Sequence, residues 1–183
     1  MQNNNSVNIV IGSWGSYNEC NDRALGSKWL DLSDYSDWEE IEEELTKQGF
    51  KLDGIDEELF IQDIENFPGS TNWDYMHPKT LFKLLKDANV LDDEYAFEIM
   101  EAYIDVMGAD SFFDLVRDKG HRWDEDIYLY PGSTWYDLGY QFIHDSYGDK
   151  LDFIDNYIDY ERYGEELRFD GFHEYDGGII EIR

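Results

Sequence analysis

Forty-three acidic and only fourteen basic residues give this 183-residue chain a formal net charge of −29, which its fold has to accommodate. Acidic chains that stay disordered are poor in aromatic residues, because they have no core to bury. Here aromatic residues make up 17% of the chain and hydrophobic residues 42%. The composition therefore predicts a folded body with a packed interior and a surface coated with carboxylates.

The density of this charge resembles that of a nucleic acid. The acids are spread along the whole chain, and no acidic run exceeds three residues. Because B-DNA carries one charge per ~1.7 Å of its axis, a charge of −29 corresponds to about 50 Å of duplex. A compact chain of this length spans roughly 40 Å. We therefore expect a basic partner, such as a nucleic-acid-binding protein, and no direct binding of nucleic acid.

Solubility and halophilic adaptation also favour acidic chains, and both origins of the charge stay open. An acidic surface keeps a protein in solution, although a much smaller net charge is enough for that. Halophilic adaptation produces acidic surfaces as well, but it does not require so many aromatic residues. Packing many like charges destabilises the compact state by self-repulsion, so a compensating function is indicated.

The sequence also excludes several classes of protein. The first residues lack a basic region followed by a long apolar stretch, so we expect neither a signal peptide nor a membrane span, and a cytoplasmic protein. Cys20 is the only cysteine, which excludes an internal disulfide. The four histidines are scattered and no nucleotide-binding, zinc or calcium motif occurs. We expect no catalytic residue, no cofactor and no metal site.

Hydrophobic periodicity and turn residues predict an elongated α+β fold in three small segments. The predicted domains are an N-terminal α+β domain (1–75), a central helical domain (76–120) and a C-terminal α+β domain (121–183). The N-terminal domain has strands at 8–11, 28–32 and 59–64, a glycine-punctuated loop at 12–19 and one helix. That helix begins with a capping box at Ser36 and Glu39 and has Trp38, Ile41 and Leu45 on one face.

The other two segments are predicted in the same way. In the central domain, helices start at Pro78 and cover 92–107 and 110–119, and the second carries an apolar stripe of Tyr95, Ile99, Tyr103 and Met107. In the C-terminal domain we predict a strand at 127–130, a helix at 134–147, mainly helix over 152–167 and a closing hairpin at 171–182.

The predicted helices leave many carboxylates on their polar faces, where each one could stand in for a phosphate. The candidate phosphate mimics are Asp37, Glu39, Glu40, Glu42, Glu43, Glu44, Asp93, Glu94, Glu98, Glu101, Asp105 and Asp114.

Three short segments follow one another in an order that spans nearly the whole chain. They are Gly15-Ser16-Tyr17-Asn18-Glu19 with Gly26 and Trp29 behind it, the run from Ile61 to Phe67, and the run from Asn156 to Leu167. Together they resemble the ArdA family of antirestriction proteins, and the third resembles the family's antirestriction motif. The closing run from Gly178 to Ile182 fits as well.

This resemblance implies a specific function. It implies an elongated three-domain monomer that dimerises through its C-terminal domain, giving a curved acidic rod that mimics bent duplex DNA. Such a protein is carried by a phage or mobile element and occupies the DNA-binding groove of type I restriction–modification enzymes, without chemistry of its own. A dimer of this chain would match about 100 Å of duplex in charge.

The motif and the dimer surface are expected at Tyr157, Asp159, Tyr160, Tyr163, Gly164, Glu165, Glu166 and Leu167. Its three tyrosines and Leu167 recur at helical spacing and would bury one face. Two interpretations of that face stay open, core packing within the subunit and the dimer surface. Two alternative functions also stay open. The chain could block a CRISPR effector nuclease by the same mimicry, or it could act as an acidic chaperone for basic histone-like proteins.

Overall fold

A computed structural model describes residues 6–151 and 154–183 of the chain. Within these ranges it has two three-stranded antiparallel sheets, seven α-helices and several short 3-10 turns, which confirms the predicted α+β class. The strands are β1 (Asn8–Ser13), β2 (Leu30–Asp31), β3 (Leu59–Glu65), β4 (Ile127–Pro131), β5 (Phe172–Tyr175) and β6 (Gly178–Ile182). The helices are α1 (Trp14–Glu19), α2 (Trp38–Lys47), α3 (Pro78–Asp87), α4 (Glu94–Met107), α5 (Ala109–Lys119), α6 (Trp135–Tyr147) and α7 (Tyr160–Glu166).

The first sheet is built around β1, with the order β2-β1-β3. Alternation along β1 sends Ile9 and Ile11 into the main hydrophobic cluster, which the apolar face of α2 joins through Trp38, Ile41 and Leu45. A β-bulge between Val10 and Ile11 shifts the pairing with β3. The predicted N-terminal sheet and helix are therefore present.

The start of α2 differs by one residue from the predicted capping box. Asp37 is the N-cap, and its carboxylate accepts a hydrogen bond from the Glu40 amide at 3.0 Å. In return, the Glu40 carboxylate accepts from the Ser36 amide at 2.7 Å. Because aspartate caps a helix as well as serine does, the N-cap moves on by one position to Asp37 and Glu39 is left free.

The central helices share one buried core with the N-terminal sheet. Pro78 occupies the first turn of α3, as predicted, and the leucines of that helix are buried. Phe67, just beyond β3, stacks on Phe113 of α5 with ring centroids 5.6 Å apart. The same cluster reaches Ile127 of β4 and Ile180 of β6. The division of the chain at residues 75 and 76 stays a prediction.

The apolar face of α4 is only partly the one that periodicity predicts. Ile99 and Tyr103 are buried, but Tyr95 and Met107 are exposed. Phe97, Met100 and Ile104 are buried instead. The helix packs on both α5 and the C-terminal sheet, so its buried face is broader than a single stripe.

The C-terminal sheet has the order β4-β6-β5, and the predicted hairpin joins β5 to β6. Helix α6 begins with a complete capping box at Thr134 and Asp137. Apart from the residues that join the main core, this part of the chain is held by two smaller clusters. One contains Trp135, Leu138, Leu167, Phe172 and Ile179, and the other contains Ile143, Leu151 and Tyr160.

The prediction of mainly helix over 152–167 is only partly right. Residues 152 and 153 lie outside the described ranges, a 3-10 turn covers Asp155–Tyr157, and α7 starts only at Tyr160. The break has a local cause, because the Asp159 side chain accepts a hydrogen bond from the Arg162 amide at 3.1 Å and so starts a new helix.

The predicted loop at 12–19 is wrong, because Trp14–Glu19 forms the short helix α1 directly after β1. Ser13 caps it by accepting a hydrogen bond from the Ser16 amide at 3.3 Å. Ser16 then donates to the carboxylate of Asp56, forty residues further along the chain. Local sequence alone does not favour a helix with glycine and serine in its middle, so this distant contact is what holds it.

Candidate functional site

The candidate phosphate mimics lie on α2, α4 and α5 or at the N-caps of α2 and α4. Ten of them are exposed, and Glu42 and Glu44 are half-buried. Among the acids whose burial the structure describes, only Asp56 and Glu181 are buried. The surface therefore carries nearly all of the negative charge.

Several of these carboxylates already have partners within their own helix. Asp37 and Glu40 cap α2, and Glu42 accepts a hydrogen bond from the indole of Trp38 at 2.6 Å. Glu44 lies 3.8 Å from Lys47. In the described part of the chain, Glu39 and Glu43 have no such partner, so they are the acids of α2 with the greatest freedom to bind an external cation.

Four carboxylates form a straight row along α4. Glu94, Glu98, Glu101 and Asp105 follow one another at intervals of four, three and four residues, which keeps them on one face of the helix. With a rise of 1.5 Å per residue, the row is about 16 Å long, with one carboxylate about every 5.5 Å. Burial and the neighbouring charge of Glu98 raise the pKa of Glu101, as expected of carboxylates crowded together.

The other acids around α4 are more constrained. Asp93 caps the helix by accepting from the amides of Tyr95 and Ala96. Asp114 lies 2.8 Å from Arg117. Asp105 accepts a hydrogen bond from the Asp176 amide at 3.2 Å and so ties the row to the C-terminal hairpin.

An open groove of about 610 Å³ runs beside the α4 row. Glu98, Glu101 and Asp105 line one wall, and the hairpin turn at 175–177 lines the other. Ile104 and Leu129 supply apolar surface to the same groove. The groove is wide enough for a long basic side chain, whose stem can pack on apolar surface while its head meets a carboxylate.

The described basic side chains do little to neutralise this surface. Most of them already lie within 4 Å of an acid, as Lys86, Arg117, Lys119 and Arg168 illustrate. Exposed pairs of this kind are screened and weak. Glu39, Glu43 and the α4 row therefore present charge without a fixed counter-ion.

The antirestriction motif forms a close contact between two helices. Gly164 of α7 lies against the backbone carbonyl of Trp135, and Gly139 of α6 lies against the carbonyl of Tyr160. A Cβ atom at either glycine would come within 3.0 Å of that carbonyl, a separation that real Cβ atoms essentially never show. The motif glycine is therefore required by the packing of α7 on α6.

Tyr160 is a core residue of the subunit. Only 5% of it is exposed, and its hydroxyl donates to Asp155. Nε2 of His144 lies 2.9 Å from the same carboxylate, and the His144 ring stacks on Tyr140. Burial and the hydrogen bond to Asp155 raise the pKa of Tyr160 to about 12. Leu167 is buried as well.

The rest of the motif lies on the surface. Tyr157 is 88% exposed in the 3-10 turn before α7, and Tyr163 is 38% exposed on α7 itself. Asp159 is the N-cap of α7, and Glu166 lies 3.7 Å from Arg162. Glu165 is exposed. Because α7 starts at Tyr160, the tyrosines do not form one continuous stripe, and the expected face is divided between core and surface.

A buried network that the sequence does not predict holds α1 in place. The carboxylate of Asp56, which is not exposed at all, accepts from Ser16, from the Lys51 amide at 2.8 Å and from Arg23 at 2.9 Å. Although burial opposes its ionisation, the hydrogen bonds from Ser16 and Lys51 lower the pKa of Asp56. Among so many acids, nothing in the local sequence distinguishes this one.

The described part of the chain contains no helix that is long and apolar enough to cross a membrane. It also contains no group of three or more histidine, cysteine, aspartate or glutamate side chains placed to hold a metal ion. The expectations of a cytoplasmic location and of no cofactor stay predictions.

The family to which the chain belongs follows from its sequence as a whole. None of the curated proteins matches the chain. The family model for ArdA, described as an antirestriction protein, matches residues 9–181 and so covers every helix described above and both sheets except for their first and last residues. The chain therefore belongs to the ArdA family of antirestriction proteins.

Proposed function

We propose that this protein is a DNA mimic that occupies the DNA-binding groove of a type I restriction–modification enzyme and blocks access of DNA. The observation that carries the proposal is the set of carboxylates without fixed counter-ions on α2 and along α4. Lysine and arginine side chains that bind phosphates would meet carboxylates at regular intervals there. Inhibition of this kind needs occupancy alone, so we propose a binding protein without a catalytic step.

Competition with DNA tests this proposal. The protein should displace a specific DNA duplex from a type I enzyme, and its apparent affinity should fall steeply between low and moderate salt because the contacts are ionic. Polyglutamate of matched total charge serves as the control for shape. An affinity that stays flat over this salt range, or polyglutamate that inhibits equally well, would contradict mimicry.

We also propose a homodimer joined through the C-terminal part of the chain. Tyr157 and Tyr163 expose large rings with polar tips, a residue type that is enriched at protein interfaces. Tyr136, Tyr140 and Tyr147 of α6 are exposed as well. Two subunits of net charge −29 repel each other, so a stable contact has to be local and aromatic.

Replacing the two exposed tyrosines of the motif, Tyr157→Ala with Tyr163→Ala, is expected to shift the sedimentation of the protein toward the monomer. Circular dichroism should stay unchanged, because both side chains lie outside the buried clusters. Tyr75→Ala is the matched control, since this tyrosine is 89% exposed but lies outside the C-terminal part. Wild-type protein that sediments as a monomer at micromolar concentration would exclude the dimer.

A further inference from the structure

Helix α1 is inverted with respect to an ordinary surface helix. Its only buried residue is Ser16, while Trp14 is 40% exposed and Tyr17 is 54% exposed. Surface helices normally bury their apolar residues and expose their polar ones. Large apolar residues that a fold directs toward solvent indicate a binding surface, because exposing them costs stability.

This inversion is fixed by the structure. The Ser16 hydroxyl donates to the buried carboxylate of Asp56 and also accepts a hydrogen bond from Asn21 at 3.1 Å. On the same helix, Gly15 lies against the backbone carbonyl of Ile55, where a Cβ atom would come within 3.0 Å. Desolvating a carboxylate is costly unless it is fully hydrogen-bonded, so a helix held in this way has one defined orientation.

The exposed rings form a compact cluster with Phe60 of β3. The rings of Trp14 and Phe60 stack with centroids 4.2 Å apart and planes 24° apart. Tyr17 meets both edge-on, at 6.0 Å from Trp14 and 6.5 Å from Phe60. Gly12 makes room for this arrangement, because a Cβ atom there would clash with the Phe60 ring. We name Trp14, Tyr17 and Phe60 the aromatic patch; it belongs to none of the buried clusters.

The segments that carry the aromatic patch are acidic, and Arg23, which follows the first of them, is already bound to the buried carboxylate of Asp56. Residues 1–22 and 52–76 contain no lysine or arginine. Glu19 ends α1, and Glu57 and Glu58 precede β3; all three are exposed. The carbonyl of Glu58 accepts from the Trp14 amide at 3.0 Å, which places this acidic segment beside the rings.

Aromatic faces flanked by carboxylates suit a guanidinium group. A cation over an aromatic face is attracted by the ring quadrupole, and tryptophan is the best ring for this. Arginine fits better than lysine, because its planar group stacks on rings and binds carboxylates through two hydrogen bonds. A nucleobase could stack on the same rings, but its phosphates would be repelled by a chain of net charge −29.

We propose that the aromatic patch docks an arginine-bearing segment of the DNA-binding enzyme that the protein inhibits. The guanidinium stacks on Trp14 and contacts the Tyr17 ring, which stands perpendicular to it, while Glu57 or Glu58 neutralises its charge. This proposal rests on the proposed function for the identity of the partner, and it adds a contact that phosphate mimicry does not provide. The patch is uncharged, so it contributes affinity that salt screens less than it screens the carboxylates.

Two variants test the contribution of the patch to inhibition of a type I enzyme. Tyr17→Ala is expected to weaken inhibition about three-fold and Trp14→Ala with Tyr17→Ala about ten-fold, as the loss of one and two cation–π contacts implies. The slope of affinity against salt should match that of wild type, because no charge is removed. Tyr75→Ala is the control and should inhibit as wild type does.

A second measurement isolates the patch from the rest of the acidic surface. The indole N–H signal of Trp14 in an NMR spectrum is assigned by its loss in Trp14→Ala. Titration with nonaarginine should shift this signal, and titration with nonalysine of equal charge should shift it much less. Melting temperatures of the variants close to that of wild type would show that α1 stays folded. If the double variant melts early, the inhibition assay relies on Tyr17→Ala.

The outcomes separate the two proposals. If both variants inhibit as wild type does and the Trp14 signal does not respond to nonaarginine, the patch proposal is wrong, while steep salt dependence of wild-type inhibition still supports DNA mimicry. If wild type fails to inhibit the enzyme, DNA mimicry of that target is wrong, and the response of Trp14 to the two peptides decides the chemistry of the patch. If the patch variants sediment differently from wild type while the control variant does not, the occupant of the patch is a second copy of the chain and the proposal is wrong.

Discussion

Neutralising the two carboxylates of α2 that have no partner among the described residues, together with the four of the α4 row, is expected to weaken inhibition about a hundred-fold. In this variant glutamine replaces Glu39, Glu43, Glu94, Glu98 and Glu101, and asparagine replaces Asp105. An exposed ion pair contributes roughly 0.2–1 kcal/mol, so six pairs contribute on the order of 3 kcal/mol, or about two orders of magnitude in affinity. Each single amide should change inhibition only about two-fold on average. Competition against a specific duplex at one salt concentration measures the effect of the six-fold variant and of each single variant.

A matched variant separates position from number. It neutralises six other exposed acids and so has the same net charge; these are Asp63, Glu65, Asp74, Asp118, Asp145 and Asp170. If the acids on α2 and α4 meet the basic groove, this control should weaken inhibition far less than the first variant. Equal losses in the two variants would mean that only total charge matters, and that the positions on α2 and on α4 have no special role.

Replacing the motif glycine, Gly164→Ala, is expected to cost about 3 kcal/mol of stability and to lower the melting temperature by roughly 6–12 °C. The added methyl group would meet the carbonyl of Trp135 at less than 3.0 Å, and neither backbone can yield easily, because Gly139 makes the reciprocal contact. Overpacking of this kind forces a backbone shift. Thermal unfolding followed by circular dichroism measures the effect.

Gly54→Ala provides the control for this substitution. Its nearest neighbour is the carbonyl of Lys51, at 3.6 Å from the added Cβ, and its backbone does not have the positive φ that favours glycine. Alanine there restricts the unfolded chain at no steric cost, so stability should stay equal or rise slightly. A Gly164→Ala variant that melts with wild type would show that α6 and α7 do not approach as closely as described.

Local patterns predicted most of the fold. The apolar run that forms β1, the proline that opens α3 and the glycine turn between β5 and β6 all act over a few residues. Their physical effect is the same in any fold, and the structure confirms each of them. The exposed positions of the candidate phosphate mimics follow from the same periodicity.

The errors occur where a distant contact decides the local structure. Helix α1 depends on Asp56, which lies far away in sequence and is one acid among many. Tyr95 and Met107, at the two ends of the predicted α4 stripe, are exposed because α4 packs on both α5 and the C-terminal sheet. The motif helix is a different case, because Asp159 is a good N-cap and the break before Tyr160 could have been predicted from it.

The two sheets differ in the place that their central strand takes in chain order. The central strand of the first sheet, β1, comes first of its three, whereas the central strand of the second sheet, β6, comes last. During synthesis, β2 and β3 can therefore each pair with a strand that already exists. In contrast, β4 has to wait for β6, a delay of about 2–10 s at ordinary rates of translation.

During that delay the hydrophobic side chains of β4 lack their final partner strand, although Ile127 can already join the main core. Ile180 of β6 then completes both the second sheet and that core in one event. The N-terminal part can thus fold before β6 is synthesised, but the C-terminal sheet and the motif packed on it cannot. The protein is expected to gain its inhibitory form abruptly, after β6 has left the ribosome.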